Sequence, residues 1–223
     1  MRQNELAAHL EGALGRDEGG DADAARALAA IISSDILTWQ APEADPAGFD
    51  TLLALTFGNR MAANGNRSPG PVNAALAAIA SGLRRRPDTV VYAQWEVGEA
   101  LAACDPAACV VHIHPARDAR AEPVYLGTRA AIARAASLAG GAARMGRVGV
   151  VAFRDHLRRS VATARDLGLD AWAPGGISMP AAYDTLSGQP WCRDRLAYLL
   201  HDIAIGIAER RDALCAGMEW DQG

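Results

Sequence analysis

Residues 148–174 read V-G-V-V-A-F, then R-D-H-L-R-R, then S-V-A-T-A-R-D-L-G-L, then D-A-W-A-P. The apolar run stops at Phe153 and opens into Arg154, Asp155, His156, Arg158 and Arg159. This is the pattern of a buried parallel strand that delivers charged side chains to the start of a helix. A second short strand follows the helix, which makes a strand–helix–strand unit. Open α/β sheets bind their ligands at this end of the strands.

The alternation continues on both sides. F-D-T-L-L-A-L-T-F (49–57), T-V-V-Y-A-Q-W-E (89–96) and A-C-V-V-H-I-H-P (108–115) predict three more strands. Pro71 suits the first turn of a helix with Val72, Ala75, Leu76, Ile79 and Leu83 on one face. Arg84 to Arg86 close it, where positive charge complements the helix dipole. V-G-E-A-L-A-A-C (97–104) and an alanine-rich stretch from about 127 to 143 predict two further helices. Leu196, Leu199, Leu200, Ile203 and Ile207 give the tail the spacing of a packing helix.

Upstream, residues 4–14 predict a short helix, and Asp21 or Asp23 is placed to cap a helix running to about Trp39. A Pro/Asp-rich connection, A-P-E-A-D-P-A-G (41–48), follows it. Strands alternating with helices imply an α/β fold: a Rossmann-like, doubly wound, mostly parallel sheet with helices on both faces. Residues 49–223 are expected to form that domain, with residues 1–48 as a helical segment packing on it.

The composition, 50% apolar and 22% charged, is that of a soluble globular chain. A formal charge of −4 argues against a general nucleic-acid binder. All 22 positive residues are arginine. Without lysine the chain lacks the residue for Schiff-base chemistry, pyridoxal phosphate attachment or a phosphate-loop motif. Cys104, Cys109, Cys192 and Cys215 follow no zinc or redox spacing, so reduced thiols are expected. No run approaches the roughly 20 apolar residues of a membrane span, and the N-terminus lacks a signal-peptide core. A cytoplasmic protein is expected, with no nucleic-acid or membrane partner; an oligomer is compatible with the sequence.

The polar residues just after each strand should converge on one rim. Gly58, Asn59 and Arg60 follow the first strand. The glycine permits close backbone approach, and the guanidinium fork suits a carboxylate or phosphate. A plain strand-to-loop turn is the competing account, although the 14-residue stretch G-N-R-M-A-A-N-G-N-R-S-P-G-P (58–71) is longer than structural loops usually are. Gln94 and Glu96 end the second strand. Glu96 is expected to act as a general base or to accept from ribose hydroxyls, against the alternative of a solvated acid at a helix start.

After the fourth strand stand Arg154, His156 and Arg159, which can hold an anion together with helix N-terminal amides, and His156 can act as acid or base. Asp155 competes, because it can cap the same amides. After the third strand come His112, His114, Arg117 and Asp118. The two histidines share a strand face, but the cysteine spacing nearby is not that of a zinc pair, and no metal is expected. G-G-A-A-R-M-G (140–146) follows a helix and precedes a strand, the reverse of a dinucleotide fingerprint. Tyr183, Asp184, Ser187, Gln189, Trp191 and Arg193 gather in a loop that can fold over a pocket as a lid or anchor it structurally. Ser187 lacks the elbow motif of a nucleophile.

Three stretches carry a family likeness: L-L-A-L-T-F-G-N-R (52–60), Y-L-G-T-R-A-A-I-A-R-A (125–135), and V-V-A-F-R-D-H-L-R-R-S-V-A-T-A-R-D-L-G-L-D (150–170). Over about residues 49–174 the chain resembles the YdcF/SanA/ElyC-like bacterial proteins, and most of all their soluble YdcF-like branch. The resemblance puts His156 and Arg159 on the family's H-x-x-R motif and Thr128 at its helix start. Where the family commonly has Thr-x-Glu-Asn, this chain has Thr128-Arg129-Ala130-Ala131. The resemblance implies a Rossmann-like fold and a nucleotide-like ligand such as S-adenosylmethionine.

Together these features lead to the expectation of a small-molecule enzyme, a transferase or hydrolase, acting on an anionic or nucleotide-like ligand. Glu96 and His156 are its expected catalytic groups. Gly58, Asn59, Arg60, Gln94, Thr128, Arg154 and Arg159 are its expected ligand contacts. The rival reading is a non-catalytic binding or scaffolding protein of envelope or secondary metabolism.

Overall fold

A computed structural model describes residues 8–9, 11–12, 22–36, 40–61, 65–116 and 124–216. The expected helix over 4–14 falls largely outside these residues, as do Asp21, Trp39, Arg117 and Asp118. The chain forms two compact units, one of residues 1–40 with 200–223 and one of residues 41–199. In the first, α1 (Ala22–Ala30) continues as a π-helical turn over Ile31–Ile36.

The second unit holds a parallel sheet of β1 (Glu43–Ala44), β2 (Thr51–Ala54), β5 (Val90–Gln94), β6 (Cys109–Ile113), β7 (Arg147–Val151) and β8 (Asp170–Pro174). Its order is β1-β8-β7-β2-β5-β6. Every residue of β2 is buried, because β2 is central and helices cover both faces. Thr51 registers with Val90 on one side and with Val148 on the other.

Successive side chains of β2 point to opposite faces and so belong to different cores. Leu52 and Ala54 pack with Leu76 and Leu83 of α2 (Gly70–Leu83) and with Val97 and Leu101 of α3 (Trp95–Cys104). Leu53 and Leu55 pack with Ala131 and Ile132 of α4 (Thr128–Leu138) and with Val161 and Ala164 of α5 (Arg154–Asp166). Burying leucines such as Leu52 and Leu53 stabilises the fold by about 2 kcal/mol each. The last helix, α6, spans Arg195–Ala216.

The architecture is therefore the expected α/β, Rossmann-like, doubly wound sheet. From β2 the chain steps outward through β5 and β6, then returns to the other side of β2 for β7 and β8. The winding reverses between β2 and β7, which places the topological crevice between residues following Ala54 and residues following Val151.

Boundaries differ from the sequence reading at several points; the alanine-rich helix expected to reach about 143, for one, ends at Leu138. Trp95 and Glu96, expected in the second strand, are already helical. The 58–71 loop contains a two-stranded antiparallel hairpin, β3 (Arg60–Met61) with β4 (Arg67–Ser68). The Pro/Asp-rich connection supplies β1, which pairs Glu43 with Ala173. Strands of two residues have no periodicity to read.

Candidate functional site at the sheet switch point

Beyond Ala54 the chain leaves the sheet as an ordered turn. Phe57 stacks on Phe153, their ring centroids 3.8 Å apart at 15°, so the two strand ends of the switch point meet through an aromatic pair. Asn73, fully buried in the first turn of α2, pins this turn. Its Oδ1 accepts from the Phe57 amide and the Thr56 hydroxyl, both at 2.9 Å, and its Nδ2 donates to the Gly58 carbonyl at 2.8 Å. Gly58 has φ +70°, and a Cβ there would lie 2.4 Å from the Ser187 hydroxyl. The glycine thus admits the chain's own 187–192 segment rather than a ligand.

The pinned turn presents Asn59 to Glu96. Asn59 Nδ2 donates to Glu96 Oε1 at 3.4 Å. Glu96 is only 4% exposed, and its Oε2 is sealed from solvent with no hydrogen-bond partner. Burial raises this carboxyl to about 7; its own backbone amide, the Asn59 amide, the Thr56 hydroxyl and the Arg67 guanidinium pull the other way without offsetting it. Such a group changes protonation near neutral pH, and a buried oxygen without a partner is a place where water or a ligand donor fits. Gln94 serves the turn itself, since its Oε1 accepts from the Thr56 amide at 3.0 Å.

Across the crevice, three expected residues meet. Arg159, 7% exposed, donates from NH1 to the Thr128 hydroxyl at 3.1 Å, and its NH2 lies 3.2 Å from His156 Nδ1. A guanidinium only donates, so Nδ1 accepts, and the ring is neutral with its proton on Nε2, 3.4 Å from the same hydroxyl. In this arrangement His156 orients Arg159. No side chain caps α3, α4 or α5, and the first amide of α5, that of Arg154, donates to the Pro180 carbonyl at 2.9 Å.

Asp155 does not cap α5. It accepts two bonds from Arg154, at 2.8 and 3.0 Å, and one each from the Tyr183 hydroxyl at 2.8 Å and Arg195 at 3.2 Å. Burial alone would raise this carboxyl, but those bonds outweigh it and hold it below the usual carboxylate value. The Arg154 fork is therefore engaged by a carboxylate of this chain. The same holds for Arg60, which grips Asp184 at 2.8 and 2.9 Å.

The 183–193 segment is fastened along its length. The Gly188 amide donates to the Asn59 carbonyl at 2.6 Å, and Arg193 donates to the Ser187 carbonyl at 2.6 Å. Ser187 and Cys192 are buried, and burial pushes the Cys192 thiol up to about 12, which leaves it inert.

Comparisons with protein-family models, with curated proteins and with solved structures find no match. His112 and His114 lie on one face with their rings parallel, 5.7 Å apart, and His112 packs over Gly98. Among the described residues no three His, Cys, Asp or Glu groups come together as a metal site, and no helix is long and apolar enough to cross a membrane. All four cysteines are free.

Two residues of the site escaped the sequence reading. Asn73 carried a signal, an amide inside an otherwise apolar first turn. Tyr125 sits two residues before the α4 cap. Its hydroxyl pKa is raised, chiefly by burial, with the Arg159 charge opposing the rise.

Proposed function

We propose that the protein is a small-molecule enzyme of the transferase or hydrolase type whose ligand carries an anionic group. Arg159, held by His156 and by Thr128 at the start of α4, binds that group. Glu96 exchanges a proton with the reacting atom. The single observation that carries this reading is the Glu96 carboxyl: buried at a strand end of the switch point, raised to about 7, with one oxygen unpaired. A carboxyl needed only for stability would be expected to find partners for both oxygens.

The likeness to the YdcF-like proteins supports a nucleotide-like ligand, S-adenosylmethionine among them, as the form to test first. Calorimetric titration of phosphate, acetate, adenine nucleotides and S-adenosylmethionine into the wild type and into Arg159→Met tests the reading. Binding of at least one that weakens about tenfold or more in the variant is the expected result; no binding by any would overturn it. With a reacting ligand in hand, Glu96→Gln is expected to lower turnover about 100-fold or more. If Glu96 acts as the base, the wild-type rate rises with pH through about 7.

A further inference from the structure

Between the start of α2 and residues 180–185 lies a cavity of about 400 Å3, lined by neither Glu96 nor Arg159. Its volume falls within the range of small-molecule sites, about 300–1,000 Å3. The lining is mostly apolar: Pro71, Val72 and Ala75 come from α2, and Pro180, Ala182 and Tyr183 from the segment after β8. The Tyr183 hydroxyl donates to Asp155 at 2.8 Å and its ring is held edge-on to Phe57 and Phe153, so Tyr183 adds a fixed apolar surface.

One charged pair completes the lining. Arg60 donates from Nε and Nη2 to the two carboxylate oxygens of Asp184, 2.8 and 2.9 Å away. The Asp184 side chain is 9% exposed and that of Arg60 41%, and the guanidinium Nη1 has no partner among the described residues. Gly70, with φ +76°, lets α2 begin against this pair: a Cβ there would sit 3.4 Å from Arg60 Cγ and 3.6 Å from Asp184 Oδ2. A bare anion in the cavity meets the attraction of Arg60 and the repulsion of Asp184 at similar range, and the two largely cancel. A bare cation meets the same cancellation. A zwitterion does not, because its two charges can lie head to tail against the pair.

We propose that this cavity binds a free α-amino acid with an apolar side chain. Its carboxylate takes the open Nη1 of Arg60, its ammonium lies beside Asp184, and its side chain packs on the prolines and Tyr183. The site is separate from the Glu96 and Arg159 groups, so it stands or falls independently of the activity assigned to them.

Calorimetry on the full chain compares L-leucine with 4-methylpentanoate, which lacks the ammonium, with 3-methylbutylamine, which lacks the carboxylate, and with glycine, which lacks the apolar chain. L-Leucine is expected to bind about tenfold tighter or more than each of the three. Asp184→Asn leaves Arg60 without its counter-charge and should reverse the preference, so that 4-methylpentanoate binds better than L-leucine; a merely structural role for Asp184 would not change the order. Ala75→Leu keeps the pair, fills the cavity and should abolish binding, with thermal melts confirming that both variants fold. No binding of L-leucine, equal binding of 4-methylpentanoate by the wild type, or binding that survives Ala75→Leu would overturn the proposal.

Discussion

Gly58 has little freedom to change. A side chain there meets a left-handed backbone and the Ser187 hydroxyl 2.4 Å away. Gly58→Ala is expected to destabilise by about 2–4 kcal/mol, from roughly 1–2 for the backbone and the rest from displaced packing. Urea denaturation checks this, and an unchanged midpoint would show that the 187–192 segment does not press on this turn. The arginines teach a related lesson. Arg60, Arg154 and Arg159 look equivalent in sequence, but Arg60 and Arg154 are gripped by Asp184 and Asp155, and Arg159 has Thr128 and His156 among its partners.

At the scale of elements, single polar side chains hold the rim together. Asn73 ties α2 to the turn after β2, so Asn73→Ala strands the Phe57 amide and the Gly58 carbonyl. A loss of about 2–3 kcal/mol is expected, together with faster hydrogen exchange at Phe57; normal exchange there would contradict the role. Asp155 ties α5 to Tyr183 and Arg195. Because its carboxyl is lowered, the stability it contributes is present above the usual carboxylate range and is lost as pH falls through the lowered value. Asp155→Ala should therefore cost about 2–3 kcal/mol at pH 7, discounting its half-exposed arginine partners, and much less in strong acid. A pH-independent loss would assign the effect to packing instead.

Helix and strand identities in the sheet were legible because apolar runs of four or five residues and amphipathic stripes are local signals. The boundary at Trp95 was not: the apolar–polar alternation of β5 runs on through Trp95 and Glu96, and only the fold turns those residues into α3. The i,i+3 pairing of His156 with Arg159 could be read from their spacing. The Arg60–Asp184 pair spans 124 residues and the Asn59–Glu96 contact 37, so neither left a trace in local sequence.

The whole molecule registers the Glu96 proton as a pH-dependent stability. Its folded value of about 7 lies above the ordinary carboxyl value of 4.5, so between those two pH values the unfolded chain releases a proton that the folded one keeps. Stability from this group is full below about 4.5, falls as pH rises, and is lost by about 7, for a total of roughly 3 kcal/mol at most. Glu96→Gln lacks the transition. The variant should match the wild type at low pH and exceed its stability above pH 7, as urea midpoints across pH would show. A site that destabilises its own fold at neutral pH is what proton-transfer chemistry would ask of a buried carboxyl.

The ionisation of Glu96 can be observed directly, by following the side-chain carboxyl carbon in a 13C NMR titration of the intact protein with Glu96→Gln for assignment. A midpoint near 7 is the expected result. A midpoint near the ordinary 4.5 would contradict the account, because the carboxyl would then be a solvated charge at a helix start and the switch point would lose its acid–base group.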